Sequence, residues 1–525
     1  MAPRRDASWT YPVSRREFLE MSAAAGAVLF GGPLWEGQAE AQGALFAEFG
    51  TAQSETIVTL DPQNTTALGN AILSNYMWDS PVFRSPDNKL IPWACTEWRA
   101  VSDTLWRFKV RTGIRFWNGN PLTARSLAFS LNRIVDPKFV SPQRNAFAQI
   151  EKATATDDVT CDVVCKRPFP ALPATLYIFA ILDEQYYGKH DLDHTTANPM
   201  GSGPFVFKAW RRGADVEMEV NRSYWMPPPP IRTLKYYGVS EAETRTAALL
   251  SGQAKIIYQV PLDHFERIKQ ARFRAEGVTG PRIVFAGMHQ QKKPFDDVRV
   301  RQAVNYAVDN RKIMQVFMKG LGEVMNQPLV STIFGFNAGL SMYDPDLDRA
   351  RALMRAAGYP NGFPQPLNLE VVPSFALNLF ETSEAVSYDL KRIGLDVRVQ
   401  VRENADFRAR RPAATGDPNF GPMFAGSWGS GTFDPQSYLP ALLHRQGAYG
   451  RNYDEKAEAW IEKCMAINDV AARLKELQAL EAYFHEQCPF IWLHAQPNTY
   501  AMAPDIDFKA RADELMPVHT IKKIA

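Results

Sequence analysis

The chain has 525 residues, 46% of them hydrophobic and 12% aromatic, with 59 basic side chains against 57 acidic ones and a formal net charge of +2. That length exceeds what a single hydrophobic core organises and predicts two or three domains, while the apolar content excludes a disordered chain. The near-neutral balance gives no reason to expect nucleic acid or an anionic membrane as partner.

Chain order begins with a leader. Ser14-Arg15-Arg16-Glu17-Phe18-Leu19 places a twin arginine before the apolar run Met21 to Phe30, and Ala39-Glu40-Ala41 offers a small-x-small cleavage pattern. This layout predicts a signal peptide over residues 1–41 rather than a membrane span, which needs about 20 apolar residues. The twin arginine points to the Tat route, although Glu20 sits where such leaders usually carry lysine. The mature chain then begins near Gln42 in the periplasm, with 55 basic and 52 acidic side chains.

Trp106 to Arg111 alternates apolar and charged residues as a half-buried strand does. Thr112-Gly113 interrupts it, Ile114 to Trp117 resumes it, and Asn118-Gly119 marks a turn. Thr123 caps a helix over 124–135, stopped by Asp136-Pro137. Thr160 to Lys166 reads as a strand, which holds Cys161 and Cys165 about 13 Å apart, too far for a disulfide. Cys95, Cys464 and Cys488 show no ligand-like spacing, so no disulfide framework is expected. His190 and His194 fall in a polar loop. Pro227 to Pro230 forms a connector.

Asp297 caps a helix with Val300, Val304, Ala307 and Val308 on one face, and a second short helix follows Asp309. Leu379, Val386, Leu390 and Ile393 share a helix face, Gly394 ends that helix, and Leu395 to Val401 alternates as a strand. Residues 453–468 and 470–487 form a helical hairpin cored by Trp460, Ile461, Leu474, Leu477 and Phe484. The fold class is α/β. No nucleophile elbow, P-loop or H-E-x-x-H occurs. His485 and His494 flank Cys488, but Pro489 breaks their register. No catalytic residue, metal site or cofactor is expected.

Five separated segments together resemble the large periplasmic solute-binding proteins of ABC importers, the oligopeptide, dipeptide and nickel group called family 5. They are Thr59-Leu60-Asp61-Pro62; the stretch from Ser102 through Trp106 and Gly119 to Pro137; Gly201-Ser202-Gly203-Pro204-Phe205 with Asn221 to Trp225 and the helix containing Arg245; Lys293 to Asp309; and Ser427-Trp428 to Asp434-Pro435. The resemblance implies a two-lobed periplasmic-binding-protein fold with an interlobe ligand cleft. It implies a discontinuous domain I (42–75, 196–283 and 491–525), an inserted domain Ib (76–195) and an opposing domain II (284–490), with hinges near 260–281 and Phe490. It implies a monomer that delivers a peptide or peptide-like solute to inner-membrane permease subunits.

Family members that hold free peptides place an aspartate a few residues after the tryptophan of the fifth segment, and here that position is Gly431. The arginine that dipeptide binders use for the carboxylate falls near Pro373. With both clamps absent, a nickel chelate, an opine or an oligosaccharide stays open beside the peptide. From another class, an exported hydrolase or chaperone on the same fold stays open too. Candidate ligand-binding residues are Ser54, Glu55, His289, Phe375, Trp428, Gly429, Ser430, Gly431, Thr432 and Phe433. Trp428 and Phe433 suit stacking on a planar or apolar ligand, or core packing beneath it. His289 donates to a ligand or bonds backbone. Glu55 stands in for the missing acid.

Overall fold

A computed structural model describes residues 46–53, 57–410, 420–450 and 454–521. The leader, residues 1–41, and with it the Tat reading, lies outside the described residues. The chain divides into two compact units, and passes from the first to the second at Glu276/Gly277 and back at Asn498/Thr499.

In the first unit, strand Phe46–Gln53 runs parallel to both its neighbours, Ile231–Gly238 and Ile256–Tyr258. Asp215–Val220 and Phe205–Arg211 extend that sheet antiparallel. A second, antiparallel sheet takes the order Cys95–Ser102, Leu105–Val110, Thr160–Cys165, Ile150–Ala155. Its period-two pattern is plain in Leu105–Val110, where Trp106, Phe108 and Val110 are buried and Arg107 and Lys109 are not. Helix Ala124–Val135 covers this sheet with Leu127, Leu131 and Ile134, and Thr123 and Ser126 close its first turn as a capping box.

The sequence motifs of this unit turn out to be polar anchors. Asp61 is fully buried, and its carboxylate accepts from Arg133 Nη2 at 2.7 Å and Thr195 Oγ1 at 2.8 Å. Asp79, equally buried, accepts from Trp93 Nε1 (3.0 Å), Tyr224 Oη (2.8 Å), Trp225 Nε1 (3.1 Å) and Ser202 Oγ (2.8 Å). Burial pushes the Asp79 carboxyl up and those four donors hold it down, the burial being the larger effect. Gly201 is required because a Cβ there would lie 1.8 Å from the Met77 carbonyl oxygen.

Two local expectations fail in this unit. Ile114 to Trp117 keeps the alternating burial of a strand but makes only the isolated bridge Arg115–Pro121, because the turn at Asn118-Gly119 folds it back, with the Phe116 N–H donating to Asn120 O at 2.9 Å, and the Trp117 N–H is taken by Gly201 O at 2.9 Å. The stretch around His194 is a short helix, Leu192–Ala197, capped by the Asp191 side chain, and His190 stacks on His194 with ring centroids 4.0 Å apart. All five cysteines are buried and free.

In the second unit the sheet order is Val397–Val401, Leu367–Val371, Met423–Trp428, the incoming strand Arg274–Met288 and the outgoing strand Phe490–Met502. Val284, Ala286 and Met288 face one core, shared with helices Val298–Ala307, Leu347–Ala356 and Leu379–Lys391. Ile283 and Phe285 face a second core, shared with the hairpin Glu455–Cys464 and Val470–Gln487. With both faces covered, Ile283 to Met288 reads as an unbroken apolar run instead of an alternating one. Asp297, Asp309, Asp454 and Asp469 each cap a helix by accepting from its backbone. Gly394, at φ +86°, ends Leu379–Lys391, and the next strand starts at Val397. In the hairpin, Ile461, Leu477 and Phe484 are buried as expected, whereas Trp460 and Leu474 are half-buried and Arg473 is buried in their place. Among the described residues, no helix is long and apolar enough to cross a membrane.

Candidate functional site

The end of the second unit at which the chain enters and leaves collects most of the candidate residues. Antiparallel pairing sets Ile283 opposite Trp428 and Met288 opposite Met423, so the turn after Trp428 emerges beside Pro281 and Arg282. Tyr438 Oη accepts from the Ser430 N–H and donates to Pro281 O, both at 2.8 Å. Ser427 Oγ donates to Phe375 O at 2.5 Å, and the Leu377 N–H donates to Gln496 Oε1 at 3.0 Å. Gly280 packs so closely on Asn498 that a Cβ would fall 2.6 Å from Asn498 Oδ1. Segments 280–282, 375–377, 427–433 and 496–498 therefore share one wall.

Within the turn, Trp428 is half-buried; its Nε1 donates to Ser437 O at 2.6 Å and its ring meets Tyr449 edge-on, 6.1 Å between centroids. The hydroxyls of Ser430, Thr432 and Ser437 form a chain with links of 3.0 and 2.8 Å. Gly429 is exposed, and Ser430, Gly431 and Thr432 are half-exposed. Phe433 adopts a left-handed φ of +52° and is 2% exposed, so it packs beneath the turn and offers no ring to a solute. Phe375 is half-buried and packs edge-on against Phe407 at 5.4 Å.

What fixes the turn is a residue the sequence does not flag. Arg473, from helix Val470–Gln487, holds Asp434 through a two-pronged pair, each bond 2.7 Å, with the side chains 4% and 7% exposed. Such a fork sets direction as well as distance. Arg282 is also missed, and its signal is a single charge at the head of the apolar run Ile283 to Met288. It is half-buried, and its Nη1 donates to Ser427 Oγ at a long 3.4 Å. The Arg408 guanidinium lies 5.9 Å from the Phe375 ring centroid, with its Nε donating to Asn404 Oδ1 at 2.6 Å. Among the described residues, neither arginine has an acid partner.

The structure does not bring His289 to this wall. It follows Met288 at the opposite end of the ladder, about 20 Å along the strand from the residue facing Trp428. There its Nδ1 accepts from the Gln291 N–H at 3.3 Å and its own N–H donates to Pro422 O at 2.9 Å, the backbone-bonded alternative. Ser54 and Glu55 lie outside the described residues.

The wall offers an aromatic edge, hydroxyls, open backbone and guanidinium groups, which is the equipment of recognition. Elsewhere in the unit, the Cys488 thiol is pushed up to about 12 by burial and lies 3.1 Å from Tyr343 Oη, so it is not poised as a nucleophile. Among the described residues, no group of three or more His, Cys, Asp or Glu could hold a metal ion.

Comparison with known proteins agrees with this picture. The model of the bacterial extracellular solute-binding proteins, family 5 middle region, matches residues 89–450. The glutathione-binding protein GsiB of Pectobacterium atrosepticum is 27% identical over 403 residues, which span 75% of this chain and 76% of that one. Heme-binding protein A of Haemophilus influenzae is 26% identical over 442 residues, 78% of this chain and 79% of that one. The structure of HbpA2 from Haemophilus parasuis superposes with a TM-score of 0.82 at 22% identity, covering 91% of this chain and 100% of the other.

Proposed function

The chain belongs to family 5 of the bacterial extracellular solute-binding proteins, and from that premise we propose that it captures a peptide or peptide-like solute and hands it to the permease of an ABC importer. It is the substrate-binding component of that system, and its fold and family are those of binding proteins. The observation that carries the peptide reading is the Trp428 turn, where an aromatic edge adjoins a chain of three hydroxyls and a glycine stands in place of an acid. Such a surface hydrogen-bonds amide and carboxyl groups without gripping a free ammonium. Relatives named for binding glutathione and heme keep both a small peptide and a larger planar solute within the panel to be tested. The twin-arginine leader carries the folded chain to the periplasm, where it works as a monomer and without a cofactor.

The test is a thermal-shift panel on the chain from Gln42 onward, with glutathione, short peptides, heme, opines and nickel chelates. A solute at a hundred times its dissociation constant adds about 2.7 kcal/mol, enough to move the midpoint by a degree or more. A saturable shift with a peptidic solute, lost in Trp428→Ala, is the expected result. A response confined to chelates or opines overturns the peptide assignment and leaves solute binding in place.

A further inference from the structure

We propose that Arg282 selects the solute and does so by taking a carboxylate, so that the cargo is a carboxylic acid; this rests on the solute-binding reading above. A guanidinium that is half-withdrawn from water carries a desolvation cost which a partner normally offsets. Among the described residues the Arg282 side chain has only the 3.4 Å bond to Ser427 Oγ. The acid of the adjoining turn, Asp434, is already held by Arg473, and among the described residues no acid pairs with Arg282. A planar fork with its donors unspent matches the two oxygens of a carboxylate.

The turn beside it points the same way. Gly429 lies against the backbone of Arg282, 3.1 Å from its Cα to an added Cβ, so the open turn and the arginine are neighbours. The Gly431 N–H donates to no acceptor among the described residues, and the hydroxyls of its chain neighbours Ser430 and Thr432 bond each other at 3.0 Å. Arg408, exposed and with no acid partner among the described residues, adds a second cation over the Phe375 ring. Among the described residues of this turn the acid, Asp434, is already paired, so that the remaining donors and positive charge favour an anion and disfavour an ammonium. The carboxylate can come from a peptide terminus or from a heme propionate, which share this chemistry.

Calorimetric titration of mature wild-type protein, Arg282→Gln and Arg282→Lys tests the assignment. The probes are glutathione, its diethyl ester, dipeptides with free and amidated C-termini, and heme in a separate arm. The wild type should bind a free acid about 10- to 100-fold more tightly than its neutral ester or amide. Arg282→Gln should lose that margin and leave the neutral solute's affinity as it was, Arg282→Lys should keep part of it, and all three unliganded proteins should melt together. Whether glutathione and dipeptides or heme show the margin tells which carboxylate is read. Equal binding of acid and ester, or a free acid held by Arg282→Gln as tightly as by wild type, overturns the role of Arg282 while solute binding stands. A wild-type protein that responds to no free acid overturns this proposal and the peptide reading together.

Discussion

The anchors of the first unit and the wall of the second are both built around sequence motifs, yet their polar groups are spent in opposite ways. Asp61 and Asp79 are fully buried, and each accepts several strong bonds from residues distant in sequence. At the wall, the residues carrying the motif, Trp428 and Asp434, are likewise tied down, by Ser437 O and Arg473. Between and beside them, Gly429, Gly431 and Arg282 keep exposed surface and, among the described residues, unspent donors. Trp428 and Asp434 hold the scaffold, and the groups left free for the proposed solute are the glycines between them and Arg282, which lies outside the motif. This follows from energetics, since a buried polar group must be paired whatever the cargo, whereas a recognition group is paired only when the cargo arrives.

The largest test of that contrast removes the cation from each buried pair. Arg133→Ala strands Asp61 and Arg473→Ala strands Asp434, and each should cost about 3–5 kcal/mol of unfolding free energy in urea titration. The two should then part company. Among folded molecules Arg133→Ala should bind its solute normally, while Arg473→Ala releases the turn below Trp428 and weakens binding as well. A loss under about 1 kcal/mol for either variant would contradict the anchoring role.

A middle-sized effect treats the two units alike and so serves as a control. His494 in the second unit is fully buried and His519 in the first is half-buried, and the ring nitrogens of both are shielded from water with no hydrogen-bond partner among the described residues. Burial lowers them to about 4 and about 3. A histidine whose folded pKa lies below its unfolded value binds fewer protons when native. Its stability contribution is therefore complete above the unfolded value and declines as pH falls below about 6.5 towards the folded one. At pH 5 each site should have given up roughly 2 kcal/mol. His494→Leu should flatten part of the acid limb of a thermal-midpoint profile from pH 7 to 4.5; an unchanged slope would place the acid sensitivity in other groups.

The parts of the molecule legible in the sequence are those governed by local rules. Thr123, Asp297 and Asp309 cap helices where their side chains can reach the next turn, and Gly394 stops a helix because it reaches φ +86°. At Ile114 to Trp117 the alternation held in burial, but the tight turn at Asn118-Gly119 and the bond of the Trp117 N–H to Gly201 O left only a bridge in place of a ladder. At the wall, Trp428 and its glycines were placed by the family resemblance, and of the two readings left open for Phe433 the fold takes core packing, with a left-handed φ that nothing local announces. Arg473 lies 39 residues from Asp434, and a pairing at that separation is a product of the fold. His289 follows the strand at the end away from Trp428, a placement set by the ladder's register and not readable from a position carried over by resemblance.

The smallest expected change in stability belongs to the substitution that bears most directly on recognition. Gly431 is half-exposed and its φ is not positive, so Gly431→Asp brings no backbone strain and should alter the unfolding free energy by no more than about 0.5 kcal/mol. The new carboxylate would stand in the turn beside Arg282 and compete for its unspent donors. If the wall selects by charge, affinity for free acids should fall by about tenfold, roughly 1.4 kcal/mol, and amine-bearing dipeptide amides should gain. A charge preference unmoved by Gly431→Asp, in a protein that melts like wild type, would mean that the turn is scaffold too and that the solute is read elsewhere.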